Sequence, residues 1–199
     1  MQFFTKILAL CLLVVGVLAS AVAPADEVPI AWEVEVRRGE KATLYGTVQE
    51  VHAQLLERNP NWDTEVAPAL QARDAATTSR VDRRNRDDGF SSRSLIVCGK
   101  DPWSNLAAWL DNHIYYLSRI NGKPSNRAGG CGRVSCQHSC AVWWCNDNTE
   151  ELTLGSWSWL SNGLSLLKDS PICMREGSAM VYSELGYRVR IGGADCGKK

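Results

Sequence analysis

The chain has 199 residues, with 22 Lys and Arg balanced by 22 Asp and Glu, so its formal charge is zero. No polyanionic partner is announced, and the basic patch that marks a nucleic-acid binder is missing. Of the eight cysteines, Cys11 lies near the start and the other seven all lie between residues 98 and 196.

Residues 1–6 carry one positive charge, residues 7–19 form an unbroken apolar run, and Ala19-Ser20-Ala21 and Ala21-Val22-Ala23 each offer a small-x-small cleavage site. This pattern predicts a secretory signal peptide over residues 1–21. The run falls short of the roughly 20 apolar residues that span a bilayer. No second run follows, so no transmembrane segment and a secreted, extracellular product are expected. Removing the signal removes Cys11. The seven remaining cysteines then meet an oxidising compartment, where three disulfides and one free or intermolecular thiol are the expectation. Secretion also weighs against a zinc site in the cysteine cluster, and neither a metal nor a cofactor is expected.

Between the signal and about residue 70, Leu44, Val48, Val51 and Leu55 fall at helical spacing and predict one amphipathic helix ending at Asn59-Pro60. One helix cannot make a core. Residues 72–93 interleave Arg with Asp, Ser and Thr, a composition with too little apolar surface to offset its ordering entropy, and a disordered linker is predicted. Within it stands the dibasic pair Arg83-Arg84, a candidate processing site. The division expected is a propeptide over residues 22–84 and a cysteine-rich domain over residues 85–199. The competing reading is a solvated charge run that is never cut.

After the linker, Ser94-Leu-Ile-Val-Cys98 reads as a strand and Asp101-Pro102 as the cap of a helix. That helix buries Trp103, Leu106, Ala107, Leu110, Ile114 and Leu117 and stops at Asn121-Gly122. Residues 123–130 read as a loop. In residues 131–145, period two places Val134, Cys136, His138, Cys140, Val142 and Trp144 on one face of a largely buried strand. A turn at Asn146-Asp-Asn148 leads to a short partner strand over residues 151–154. A second helix starts near Ser156, buries Trp157, Leu160, Leu164 and Leu167, and ends at Asp169-Ser170-Pro171; Gly163 inside it costs about 1 kcal/mol relative to alanine. Residues 179–182 and 187–191 read as two strands, with Tyr187, Val189 and Ile191 inward and Arg188 and Arg190 outward. The order β-α-β-β-α-β-β predicts an α+β fold, two helices on one face of an antiparallel sheet, stapled by disulfides.

No Gly-x-Ser-x-Gly, His-Glu-x-x-His or Walker-type loop is present, and no catalytic residue is assigned. His113 and His138 are the only histidines after residue 84, and such a pair can cleave RNA by general acid-base catalysis. Their places favour structural roles: His138 between two cysteines of the strand, His113 at the margin of the helix stripe. A thiol nucleophile at Cys140 is disfavoured because a buried strand cysteine is usually inert. Trp143 and Trp144 point to opposite sheet faces, and Trp109 and Trp159 lie off the stripes of their helices. Trp109, Trp159, Arg188 and Arg190 are therefore the candidate binding residues.

Cys131-Gly-Arg-Val-Ser-Cys136, Trp143-Trp-Cys145-Asn-Asp-Asn148 and a last strand Val189-Arg-Ile closing on Cys196 resemble small secreted cysteine-rich proteins of filamentous fungi, many of them predicted effectors. The order of elements is similar to that of fungal killer toxins and secreted necrosis-inducing factors. The resemblance spans about residues 94–196 and implies a compact α+β sandwich acting outside the producing cell on a host or competitor. It also implies that Cys140 is the odd cysteine, free or linking two chains as a disulfide-bonded dimer. Cys98, Cys131, Cys136, Cys145, Cys173 and Cys196 then remain as disulfide candidates, with fifteen pairings open. The expected function is binding by a secreted effector or toxin-like protein to a host or competitor protein or surface. The alternatives are a small ribonuclease-like hydrolase and a cell-wall or surface-associated structural protein.

Overall fold

The computed structural model describes residues 27–78, 88–102 and 104–197. The chain begins with a hairpin, β1 (Ala31–Arg37) and β2 (Glu40–Tyr45), in which Trp32, Val34 and Val36 are buried and Glu33 and Glu35 alternate outward. Three helices follow: α1 (Val48–Arg58), α2 (Trp62–Glu65) and α3 (Ala67–Thr78). Thr47 and Glu50 form a reciprocal capping box at the start of α1. The expected helix is thus real from Val48 onward, but Leu44 is buried from strand β2.

The cysteine-rich part runs β3 (Ile96–Lys100), α4 (Leu106–Arg119), β4 (Lys123–Asn126), β5 (Cys131–Gln137), β6 (Cys140–Asn146), β7 (Leu152–Thr153), α5 (Ser158–Lys168), α6 (Pro171–Glu176), β8 (Gly177–Ser183) and β9 (Tyr187–Gly193). The fold is α+β with disulfides. Its strands form two antiparallel sheets, β2-β1-β4-β7 and β3-β8-β9-β6-β5, where one was expected. Among the described residues no helix is long and apolar enough to cross a membrane.

The residues expected to form a loop, 123–130, hold β4, which pairs with β1 through Ala31–Ser125, Trp32–Pro124 and Glu33–Lys123. The N-terminal segment therefore completes a sheet of the cysteine-rich part. Trp32 stacks on Trp157 at 16°, and its Nε1 donates to the Gly46 carbonyl at 2.8 Å. Ile30, Trp32, Val51 and Leu55 belong to the same buried cluster as Leu110, Trp144, Trp157 and Val189. Gly132, inside the Cys-Gly-Arg-Val-Ser-Cys stretch, lies against the Val28 carbonyl and the Ile30 side chain, where a Cβ would not fit. Residues from both portions of the chain thus share one buried core.

The linker prediction also changes. Helix α3 continues to Thr78, and Asp88 and Phe90 are buried. The Asp88 carbonyl accepts from Tyr187 Oη at 2.7 Å and from Ser183 Oγ at 2.9 Å, while its carboxylate accepts from Asn162 Nδ2 at 2.8 Å. Gly163 has its reason here: a Cβ would sit 2.7 Å from the Phe90 ring. Arg83 and Arg84 lie outside the described residues.

The predicted long strand is a hairpin, β5 and β6, turned at His138 and Ser139 with φ of 52° and 61°. Both signs are positive, as a two-residue turn with the right twist requires, yet neither residue is the usual Asn or Gly. A bulge between Arg133 and Ser135 then moves Cys136 to the face opposite Cys140. The disulfides are Cys98–Cys173, Cys131–Cys145 and Cys136–Cys196. Cys140 is unpaired, fully buried, and accepts from Ser104 Oγ at 3.3 Å. Burial raises its thiol pKa. A disulfide-linked dimer through Cys140 is incompatible with this packing, because the sulfur is not presented to a second chain.

Asn146 and Asn148 stitch the end of the hairpin to its neighbours. Asn146 Nδ2 reaches the carbonyls of Asn126, Arg127 and Glu150, and Asn148 Nδ2 reaches those of Leu185 and Gly186. The Trp-Cys-Asn-Asp-Asn stretch thus secures loops.

Two outcomes follow from this packing. Trp32→Ala is expected to cost about 3 to 5 kcal/mol in urea unfolding, as large-to-small changes of a buried Trp do. A chain cut at Arg84 is expected to elute as one species in native gel filtration and to separate in denaturant without reductant; native separation would contradict the shared core. For the cysteines, Cys136→Ser is expected to lose about 2 to 5 kcal/mol with its disulfide. Cys140→Ser should lose about 1 kcal/mol, since Ser104 can bond the new hydroxyl. Equal losses would show that Cys140 holds more than a packing role.

Candidate binding face

Strand alternation decides what the five-stranded sheet shows to solvent. Val142, Trp144, Val181, Val189 and Ile191 point inward under α4 and α5. The opposite face carries two cross-strand rows. One runs Arg133, Trp143, Arg190, Met180, Val97, and the other Cys131, Cys145, Arg188, Tyr182. Leu95 ends the second row, its carbonyl accepting from Tyr182 N at 3.0 Å.

The two halves of this face differ. Over β5 and β6 a small apolar cluster of Ala141, Trp143 and Cys145 is sealed by Cys131, Cys136 and Ala194. Trp143 is therefore buried, although it lies on the outer face as alternation requires. Arg190 lies over its indole with the guanidinium carbon 4.8 Å from the ring centroid, a cation–π contact. Arg188 pairs with Asp147, and Arg133 with Glu27 at 2.8 Å. Over β3 and β8 nothing comparable among the described residues covers the sheet. Leu95 is 61% exposed and Val97 43%, beside half-buried Met180 and Tyr182. Ile172, next to the Cys98–Cys173 bond, is 58% exposed, and Leu185 at the β8–β9 turn is exposed too. Three of the six exposed large hydrophobics of the described residues, Leu95, Val97 and Ile172, thus lie in or beside the edge strand β3.

The four sequence-predicted binding residues are not brought together. Arg188 and Arg190 share the outer face. Trp109 and Trp159 belong to α4 and α5, on the other side of the sheet. Trp109 stacks flat on His138, 3.9 Å between centroids at 11°, and Trp159 packs against Gly155 and the core. Leu95, Val97, Met180 and Tyr182 were missed. Their signal was the outward parity of the strands 94–98 and 179–182, applied only to the last strand.

The histidines stand apart. His113 is fully buried on the inner side, its Nδ1 2.7 Å from Ser135 Oγ, which also accepts from Gln49 Nε2 at 2.7 Å. Ser135 is buried as well, so this hydroxyl–imidazole pair has no access to a substrate. His138 sits exposed at the hairpin turn and not inside a strand. His52, in the N-terminal segment, holds Asp63 at 2.9 Å. A cleft of about 540 Å³ lies between the N-terminal segment and β5, lined by Glu27, Thr47, Glu50, Arg133 and Asp195 among others. Its Arg133 and Glu50 are already engaged, the first with Glu27 and the second in the capping box.

Comparison with protein-family models, curated proteins and solved structures finds no match for this chain.

Burial, with a smaller contribution from His138, lowers the His113 pKa from 6.5 to about 4. The unfolded chain then takes up this proton first, so the histidine destabilises the fold as pH falls from 6.5 to about 4. The loss is about 3 kcal/mol over that window. Urea midpoints measured across it are expected to fall for the parent and to flatten for His113→Asn. An unchanged slope in the variant would assign the acid sensitivity to other groups.

Proposed function

We propose that this chain is a secreted, effector-like or toxin-like protein that acts extracellularly by binding, through the outer face of its five-stranded sheet. The observation that carries the reading is the open half of that face. Exposed Leu95 and Val97 continue into Met180 and Tyr182, with Arg188 and Arg190 alongside, on a sheet braced from behind by helices and disulfides. Aromatic and arginine side chains beside an apolar patch are the usual anchors of a protein interface. Three disulfides and the absence of a membrane-spanning helix among the described residues agree with an extracellular setting. The signal peptide over residues 1–21 supplies the route.

Processing at Arg83-Arg84 belongs to the same proposal. Because the N-terminal segment shares the core, the cut yields a nicked protein that keeps it, and residues 27–78 act as part of the folded product.

The test applies purified parent and variants to host tissue and to competitor cells and scores host-directed or growth-inhibitory activity. Arg188→Ala and Arg190→Ala are expected to lose about tenfold each, equivalent to about 1.4 kcal/mol per anchor. His138→Ala, folded by circular dichroism, is expected to retain activity. A measurable RNA-cleavage rate in the parent that disappears in this variant would overturn the binding reading in favour of the hydrolase.

A further inference from the structure

β3 is an edge strand, and its pairing with β8 shows which backbone groups are free of the sheet. Tyr182 N donates to the Leu95 carbonyl and Asp101 N to the Glu176 carbonyl, so the odd-numbered residues between them turn their N–H and C=O toward β8. By alternation Ile96, Cys98 and Lys100 turn theirs outward, along an edge that no other strand of the described residues pairs with. Folded proteins usually blunt such an edge with charge, proline or a covering segment. Here it is flanked by exposed Leu95, Val97 and Ile172, with Lys100 as the one charge in the strand.

We propose that this edge pairs with the same edge of a second copy, antiparallel about a two-fold axis at Val97, joining two five-stranded sheets into one. The residues at this register complement one another. Val97 meets the partner's Val97, and Leu95 lies over the partner's Gly99, which has no side chain to oppose it. On the other face Ser94 meets the partner's Lys100. A parallel arrangement would set like charge against like. A hollow of about 240 Å³ beside the edge is lined by Ser94, Ile96, Leu166 and Ser170 among others. Because the partner's Cys98 stands opposite Ile96, the partner's α6 brings its Ile172 to that hollow. The contact is isologous and closes at two copies. It needs no intermolecular disulfide. It also sets the two outer faces side by side, so the target-binding face is doubled; the dimer itself does not depend on that binding reading.

Sedimentation equilibrium of the parent, with its disulfides intact, is expected to show a monomer–dimer equilibrium. Val97→Lys and Leu95→Lys, both at exposed side chains, should sediment as monomers. Lys100→Pro, which removes an outward N–H and no bond to β8, should do the same. Amide exchange provides a reading without substitution: the N–H groups of Ile96, Cys98 and Lys100 should be protected at dimer-forming concentrations and exposed on dilution, while Val97 stays protected throughout. A parent that remains monomeric up to about 100 µM, well above ordinary weak-dimer affinities, would overturn the proposal. So would a dimer that survives both Lys variants, or edge amides that exchange equally at all concentrations. If Arg188→Ala and Arg190→Ala lose target activity but still dimerise, the arginines serve the target and not the dimer; if the parent is monomeric yet active, only the dimer fails.

Discussion

The pairing of β1 with β4, fixed by Trp32 stacked on Trp157, is the contact on which the rest of the structure depends. It joins a cysteine-free segment to a disulfide-bonded one with no disulfide between them. The consequences reach into both parts. Ile30 lies over Gly132, so the glycine between two cysteines of β5 serves the N-terminal segment and not a turn. Gln49 spans from α1 to Ser135 and accepts from the Cys136 amide, tying α1 to the bulged strand. The disulfides, by contrast, all lie within residues 98–196 and cannot hold residues 27–78 in place. Two stabilising devices therefore act on two portions of one core.

The β5–β6 hairpin sets the second constraint. A bulge in β5 puts Cys131 and Cys136 on the outer face, where they find Cys145 and Cys196, and leaves Cys140 and Val142 inward. One inserted residue thus separates the bonded cysteines from the free one. The disulfides then serve as the cover of the outer face over β5 and β6, sheltering Trp143, and free Arg190 to lie across its indole. On β3 and β8 the single disulfide, Cys98–Cys173, points inward to α6, so the outer face there keeps its apolar side chains in solvent. The asymmetry of the face follows from where the cysteines point.

The buried polar groups of the inner side have structural work, His113 first among them. Low dielectric around His113 keeps it neutral and unable to exchange protons with a substrate near neutral pH, and its hydroxyl partner is sealed with it. Its role is to satisfy Ser135 beside Gln49, at the point where three elements meet. Asp88 does similar work for the far end of the sheet, holding Tyr187, Ser183 and Asn162 around the start of the cysteine-rich part.

Local patterns in the sequence determined the elements whose cause is local. Helical spacing located α4 and α5, although Asn105 and not Asp101 caps α4; Val48, Val51 and Leu55 marked the buried stripe of α1, and period two set Tyr187, Val189 and Ile191 inward and Arg188 and Arg190 outward. The α+β class and six bonded cysteines with one left over were legible from the same reading and the count. Alternation in residues 31–37 was present too, yet a strand without a visible partner gave no reason to place it in a core. Tertiary structure alone decided the rest. His138-Ser139 carries no turn signature, so only cross-strand packing could impose the positive φ angles that divide one long strand into a hairpin. Which cysteines share a face depended on a bulge between Arg133 and Ser135, where Ser135 bonds to His113 of α4 and Gln49 of α1. The exposure of Leu95 and Val97 was decided by β3 lying at an edge, because strand order is set by contacts distant in sequence and leaves no mark in the strand itself.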